Sequence, residues 1–128
     1  MKEILIAVNG TLMRGLALNK NLLAINARFI REAKTSDQYR MWSIKDHYPA
    51  MQRAGGGGQY IDLEIWELTS DALLIILESE PPGLCFGRIE LSDGQWVFGI
   101  LGESYICQGM QEITQWCGWR NYITHKKG

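Results

Sequence analysis

Two acidic residues, Glu78 and Glu80, stand where a helical pattern has to end, because Pro81 and Pro82 follow at once. The apolar stretch beginning at Leu84 comes directly after them. A carboxylate held at such a join loses part of its hydration, which raises its pKa and suits it to moving a proton. The competing reading is a pair of carboxylates on a solvated helix end. Far upstream, Val8-Asn9-Gly10-Thr11-Leu12-Met13-Arg14-Gly15 follows the apolar run Ile4-Leu5-Ile6-Ala7-Val8. A strand that ends in a glycine-bearing loop before a helix can aim backbone N–H groups at a ligand oxygen. An ordinary strand-to-helix turn carries the same signs.

Other chemistries find less support. The phosphate loop G-x-x-x-x-G-K-[ST] fits Gly10 and Gly15, but Leu16 and Ala17 occupy the places of its Lys and Ser/Thr. No G-x-G-x-x-G and no G-x-S-x-G occurs, so neither a dinucleotide site nor a nucleophile elbow is expected. Cys85 could pair with His47, but a strand cysteine is more often a core residue. The histidines are His47 and His125 alone, and Cys85, Cys107 and Cys117 form no C-x-x-C pair. Neither a zinc site nor a disulfide framework is expected, and no cofactor is implied.

The elements that must position these residues follow from periodicity. Glu3–Val8 reads as a buried strand, and Asn19–Ile25 as a short helix with Leu18, Leu22 and Ile25 on one face. Asn19 is placed to cap that helix. Ala27–Lys34 and Gln38–Ile44 read as a hairpin around Thr35-Ser36-Asp37. Phe29 and Arg31 lie two apart, so strict alternation cannot send one inward and the other outward, and Arg31 is assigned to a strand end or a barrel mouth. Asp46–Gly58, closing on four glycines, reads as a flexible loop. Tyr60–Leu68 alternates as a strand that carries Asp62 and Glu64 toward solvent or a polar interior. Ser70 is placed to cap a helix over Asp71–Leu77. Leu84–Leu91 and Trp96–Leu101 form a hairpin across an Asp-Gly turn, and Gly109–Thr124 reads as helix interrupted near Gly118.

The totals bound the function. One domain spans residues 1–128. Apolar residues make up 46% and charged residues 21%, as in an ordinary globular chain. A net charge of −1 argues against a nucleic-acid surface. No run approaches the roughly 18 apolar residues of a membrane span, and the N-terminus shows no signal-peptide pattern, so a cytoplasmic protein is expected.

The motifs also carry a resemblance. Gly10-Thr11-Leu12-Met13-Arg14-Gly15 resembles the Y-G-T-L-x-R-G signature of the γ-glutamylcyclotransferase-like superfamily, with Asn9 in the place of the tyrosine. Tyr48-Pro49-Ala50-Met51 resembles its Y/F-P-A stretch, and Glu64-Ile65-Trp66-Glu67-Leu68 its G-E-V-Y/W-x-L strand. Within that superfamily the chain is most similar to the C-terminal domain of allophanate hydrolases. The likeness runs through Ala17-Leu18-Asn19, Ala27-Arg28-Phe29, Tyr39-Arg40-Met41, Gly87 to Gly94, and Val97-Phe98-Gly99. Its most specific block is the last, Glu112-Ile113-Thr114 with Gly118-Trp119-Arg120 and Tyr122.

The resemblance implies an α+β fold, a γ-glutamylcyclotransferase-like small mixed β-barrel of about six strands with flanking short helices. It implies one glutamate as general acid/base, matching Glu80, with Glu78 as the poorer register. That residue would shuttle a proton while a substrate's own α-amine attacks its γ-carbonyl, giving 5-oxoproline and a free amine. Substrate oxygens would meet Asn9, Gly10, Thr11, Leu12 and Met13, with Tyr48 closing the site over a small amide or carboxylate ligand. In some allophanate hydrolases a histidine implicated in decarboxylation stands where Leu12 is here. Leucine has no proton to transfer, so that activity is not expected, nor is allophanate hydrolysis by this chain alone. The competing implication is a non-catalytic module that binds an amidase or a second copy of itself.

Overall fold

The computed structural model describes residues 2–127. In chain order it contains β1 (Glu3–Val8), α1 (Asn19–Ala24), β2 (Arg28–Lys34), β3 (Tyr39–Ile44), β4 (Tyr48–Arg53), β5 (Asp62–Thr69) and α2 (Ser70–Ser79). There follow β6 (Leu84–Glu90), β7 (Trp96–Gly102), α3 (Ser104–Cys107), β8 (Gln111–Glu112), a 3-10 turn (Thr114–Trp116) and α4 (Trp119–Lys127). The fold is mixed α+β, with the strands divided between two sheets.

The apolar run of β1 becomes the centre of a five-stranded sheet ordered β2-β5-β1-β7-β6. Hydrophobic residues on both faces suit a strand that other elements cover on both sides. It pairs antiparallel with β5 along its whole length, from Glu3↔Thr69 to Val8↔Glu64. It pairs parallel with β7 only at Ile6↔Phe98 and Ala7↔Gly99. The second sheet has three strands, β4-β3-β8. The main core runs between the sheets and takes in Ile6, Leu22, Met41, Met51, Trp66 and Ile113. Packing of β4 against β7 brings the sheets together, without strand pairing that closes a barrel among the described residues.

Four expectations are corrected. The hairpin read at Ala27–Ile44 does not form: β2 pairs with β5, and β3 with β4. Thr35 explains why. It is fully buried, its N–H donates to the Ile61 carbonyl at 3.0 Å, and its Oγ1 accepts from the Ile61 N–H at 2.9 Å. The Ser36 N–H donates to Glu90, so the chain is pinned between β5 and β6 where a reversal was read. The reversal comes ten residues later, at Lys45 and Asp46, both left-handed with φ of 54° and 63°. Such a pair makes the tight turn whose twist suits a hairpin.

In consequence Tyr48–Arg53, within the supposed loop Asp46–Gly58, is a strand, which makes eight strands among the described residues. The cap of α2 is Thr69, whose Oγ1 accepts from the Ala72 N–H at 3.2 Å, one residue before the expected Ser70. The segment Gly109–Thr124 divides into β8, the 3-10 turn and α4, because Cys117 turns left-handed at φ 58°. In β2 the register shifts between Phe29 and Arg31. This bulge reconciles the pair: Phe29 stays edge-on to Trp66 at 5.7 Å while Arg31 is exposed. Among the described residues no helix is long and apolar enough to cross a membrane.

Candidate functional site

Where β1 ends, the chain cannot continue as strand, and a small cavity opens beside it. The lining is Val8, Asn9, Gly10, Thr11 and Leu12 from the loop, Tyr48 and Pro49 from β4, Glu80 and Leu84 from the α2–β6 join, and Ile100 from β7. Its volume is about 30 Å³, the scale of a water molecule or a single carboxyl group.

Each glycine of the loop has its own reason. A Cβ on Gly10 would lie 2.7 Å from Pro49 Cδ, so only glycine lets β1 and β4 close on each other here. Gly15 adopts φ +76° and returns the chain toward α1. Between them the carbonyls are all occupied. Gly10 accepts from the Met13 N–H at 3.1 Å, Thr11 from the Leu18 N–H at 2.9 Å, and Leu12 from Asn19 Nδ2 at 2.9 Å. Asn19 thus ties the loop down by its side chain and does not cap α1, whose cap position is Leu18. The N–H groups of Gly10, Thr11 and Leu12 donate to no other residue among those described. A loop whose acceptors are satisfied and whose donors are free attracts negative charge.

Asn9 is buried at 5% exposure and its amide nitrogen donates to the Ile100 carbonyl at 3.0 Å. This bond carries the loop's start onto β7. Leu12 and Met13 are also buried, and Met13 lies in the core at 1% exposure, away from the cavity lining. The 3.1 Å bond from Met13 N–H back to Gly10 folds the loop over, and the side chain after that fold goes inward. Of the glycine-rich stretch, only Tyr48 and Pro49 reach the cavity. Gly55–Gly57 lie exposed at the other end of β4.

Glu80 closes the opposite side. Pro81 excludes helical geometry at the residue before it, and Glu80 accordingly stands at φ −76° and ψ 143°. The residue is half-buried, and burial pushes its carboxyl above the ordinary carboxylate range. Glu78, two residues earlier and still on the helix, is exposed. Sequence reasoning missed Leu84 and Ile100 as lining residues. They are ordinary apolar strand residues, and nothing local marks them.

It also left open the direction of Glu64, which holds the loop from beneath. Glu64 is 1% exposed. It accepts from the Arg14 N–H at 2.9 Å, Arg14 Nε at 3.1 Å, the Trp66 indole at 3.1 Å and Arg120 at 3.4 Å. Arg120 also donates to the Arg14 carbonyl at 2.6 Å. Burial alone would push the Glu64 carboxyl up. The hydrogen bonds from Arg14 and Trp66 outweigh it and hold the group below the usual range. A buried carboxylate with donors at every lone pair is the arrangement that tolerates desolvation.

Comparison with known proteins agrees with this architecture. Residues 4–124 match the model of the allophanate hydrolase C-terminal domain. The urea amidolyase of Saccharomyces cerevisiae is 27% identical over 94% of this chain, but the chain spans only 7% of that protein. A solved structure of a uropathogenic E. coli-specific protein superposes with a TM-score of 0.94 at 46% identity, covering 98% of both chains. Kluyveromyces lactis allophanate hydrolase gives 0.92 at 28% identity, covering 98% of this chain and 22% of its own. An AIG2-like protein of Mus musculus, 19% identical over 89% of this chain and 88% of its own, shares the fold with a TM-score of 0.67.

Proposed function

The chain belongs to the allophanate hydrolase C-terminal domain family, and on that premise we infer that it binds the carboxyl or carboxamide head of a small ligand. The observation that carries this reading is the set of free N–H donors at Gly10, Thr11 and Leu12, residues that line a cavity together with Glu80. Donors fixed before the ligand arrives stabilise an oxygen that gains negative charge. The cavity is the size of one planar head group, so the rest of the ligand lies at the mouth, beside Tyr48.

With a γ-glutamyl amide, the α-amine forms a bond to the γ-carbon while the loop N–H groups hold the carbonyl oxygen. Glu80 takes the proton from the attacking amine and returns it to the leaving amine as the amide bond breaks. The products are 5-oxoproline and a free amine, and no group on the protein becomes covalently attached. The raised affinity of Glu80 for its proton supports this double role. The three free cysteines support a reducing, cytoplasmic setting.

Incubation with γ-glutamyl amides tests the proposal. The wild-type chain releases 5-oxoproline. Glu80→Gln lowers the rate by about 10²–10⁴-fold, the usual contribution of a general acid/base, and Glu78→Gln leaves it unchanged. If no γ-glutamyl amide turns over and no small carboxylate shifts the amide resonances of residues 10–12, the reading fails. An accessory module that binds an amidase or a second copy then stands, a role favoured by the presence of this domain within far longer relatives.

A further inference from the structure

A second concavity lies away from the Glu80 cavity, at the opposite end of β1. The strands β1 and β7 pair only at Ile6↔Phe98 and Ala7↔Gly99, although β1 extends back to Glu3 and β7 to Trp96. They part there and open a groove of about 320 Å³. Its walls are Lys2–Leu5 on one side and Gln95–Phe98 on the other, with Arg88 from β6. Two large aromatic side chains stand open on it, Trp96 at 47% and Phe98 at 42% exposure. Exposed rings gathered in a concave site mark a binding surface more than scattered ones do.

Two cations stand against these rings, and two more lie on or beside the groove. The Arg88 guanidinium lies 5.3 Å from the Phe98 ring, and that of Arg53 lies 5.0 Å from Trp96. Arg31 reaches Gln95 at 3.4 Å, and Lys2 is on the wall. Of the four, Arg53 has an acidic partner, Glu90 at 3.1 Å. Lys2, Arg31 and Arg88 form no ion pair among the described residues, and Glu3 is the acidic residue of the lining. The volume is at the small end for a ligand pocket and takes one or two side chains.

We propose that this groove docks an acidic peptide segment of a protein partner, with one apolar anchor residue seated between Trp96, Phe98 and the start of β1. The free cations choose the sign of the partner, and the aromatic rings supply the desolvated contact. A nucleic acid fits less well, because the chain's net charge of −1 gives no basic excess for a phosphate backbone. The proposal does not depend on the Glu80 cavity or its chemistry.

A displayed library of disordered peptides, selected on the whole chain, tests it. Enriched peptides carry Asp or Glu within a few residues of Leu, Phe or Trp. A synthetic copy of one, followed by fluorescence anisotropy, binds at least about ten-fold more weakly to Arg88→Glu and to Trp96→Ala, as expected for anchor contacts. Both side chains are exposed, and circular dichroism of each variant checks that the fold persists. Any of four results overturns the proposal: no enrichment, enrichment without acidic residues, binding that both variants leave intact, or tighter capture of a single-stranded DNA oligomer. Dimerisation lost in Trp96→Ala overturns it too, since a second copy is then the occupant.

Discussion

Glu80 and Glu64 are both glutamates at partly or wholly buried positions, and their surroundings drive them in opposite directions. Glu80 is partly dehydrated, with no donor among the described residues to offset the loss, so its carboxyl holds its proton more tightly than usual. Glu64 is buried more deeply but is supplied with donors from Arg14, Trp66 and Arg120. It therefore ionises more readily than usual. The consequences for stability follow. The raised Glu80 disfavours the folded state once pH exceeds its unfolded value of about 4.3, so Glu80→Gln is more stable than wild type at neutral pH and equal to it in acid. The lowered Glu64 contributes stability that is present above about pH 4.3 and is lost as pH falls through its folded value. Glu64→Gln leaves two arginines facing a neutral amide. Because both arginines are partly exposed, the cost is about 1–3 kcal/mol and below that of a fully buried ion pair. Denaturant titration at neutral pH measures it. Hydrogen exchange of residues 10–15 then rises relative to the rest of the chain, because the Arg14 N–H loses its charged acceptor.

At the scale of elements, the β3–β4 hairpin is held by its neighbours as much as by its own turn. Lys45 and Asp46 both take left-handed geometry, which side chains other than Gly or Asn adopt at a cost. Asp46 offsets that cost through hydrogen bonds from Lys126 at 2.7 Å, Ser43 at 2.7 Å and Tyr122 at 2.7 Å. These donors draw its carboxyl far below the ordinary range. The turn is thereby tied to α4. The sign of the pH effect is that of a depressed acid: its stabilisation is complete above about pH 4 and disappears as pH falls below it. Asp46→Asn keeps a side chain suited to positive φ but removes the charge. Its thermal midpoint is expected to lie below wild type at pH 7 and to converge with it as the pH is lowered toward 2, which a pH series of melts reads directly. The same hairpin carries Tyr48 and Pro49 to the cavity, and Pro49 fits only because Gly10 offers no Cβ.

Across the whole molecule, bonds between the two sheets make them one unit. The Tyr39 hydroxyl, from the smaller sheet, accepts from the Glu90 N–H of the larger at 2.9 Å, and Tyr39 is fully buried. Gln52 Nε2 donates to the Gly102 carbonyl at 2.9 Å, and Asn9, at the end of β1, donates through Nδ2 both to Ile100 of its own sheet and, at 3.9 Å, to Met51 Sδ of the smaller one. The loop at the end of β1 is therefore fixed from both sheets. Tyr39→Phe removes the acceptor and leaves the part-buried Glu90 N–H without it, at a cost of about 1 kcal/mol. Urea unfolding followed by circular dichroism and by tryptophan fluorescence is expected to remain a single coincident transition at a lower midpoint. A separate early transition of the smaller sheet would show that the sheets are not coupled in this way.

What the chain discloses by itself is local. An unbroken apolar run identified β1, alternation β5, and an Asp-Gly turn the β6–β7 hairpin; paired prolines ended α2 before Pro81, and the glycine spacing marked the loop after β1. The motifs also sufficed to name the family. Pairing was decided by burial and hydrogen bonding between distant residues. The buried Thr35 bonds to Ile61 and so denies β2 the hairpin its turn-like neighbours suggested, and the left-handed Lys45–Asp46 turn carries no Gly to announce it. The cavity was half legible for the same reason. Asn9 to Leu12 and Glu80 stand at breaks in pattern, which sequence records. Leu84 and Ile100 line it only because β6 and β7 lie beside β1, and Glu64 becomes the loop's anchor only because Arg14 and Arg120 converge on it from opposite ends of the chain. Periodicity reports which face of an element is apolar, whereas the neighbour that covers that face is set by the free energy of the whole fold.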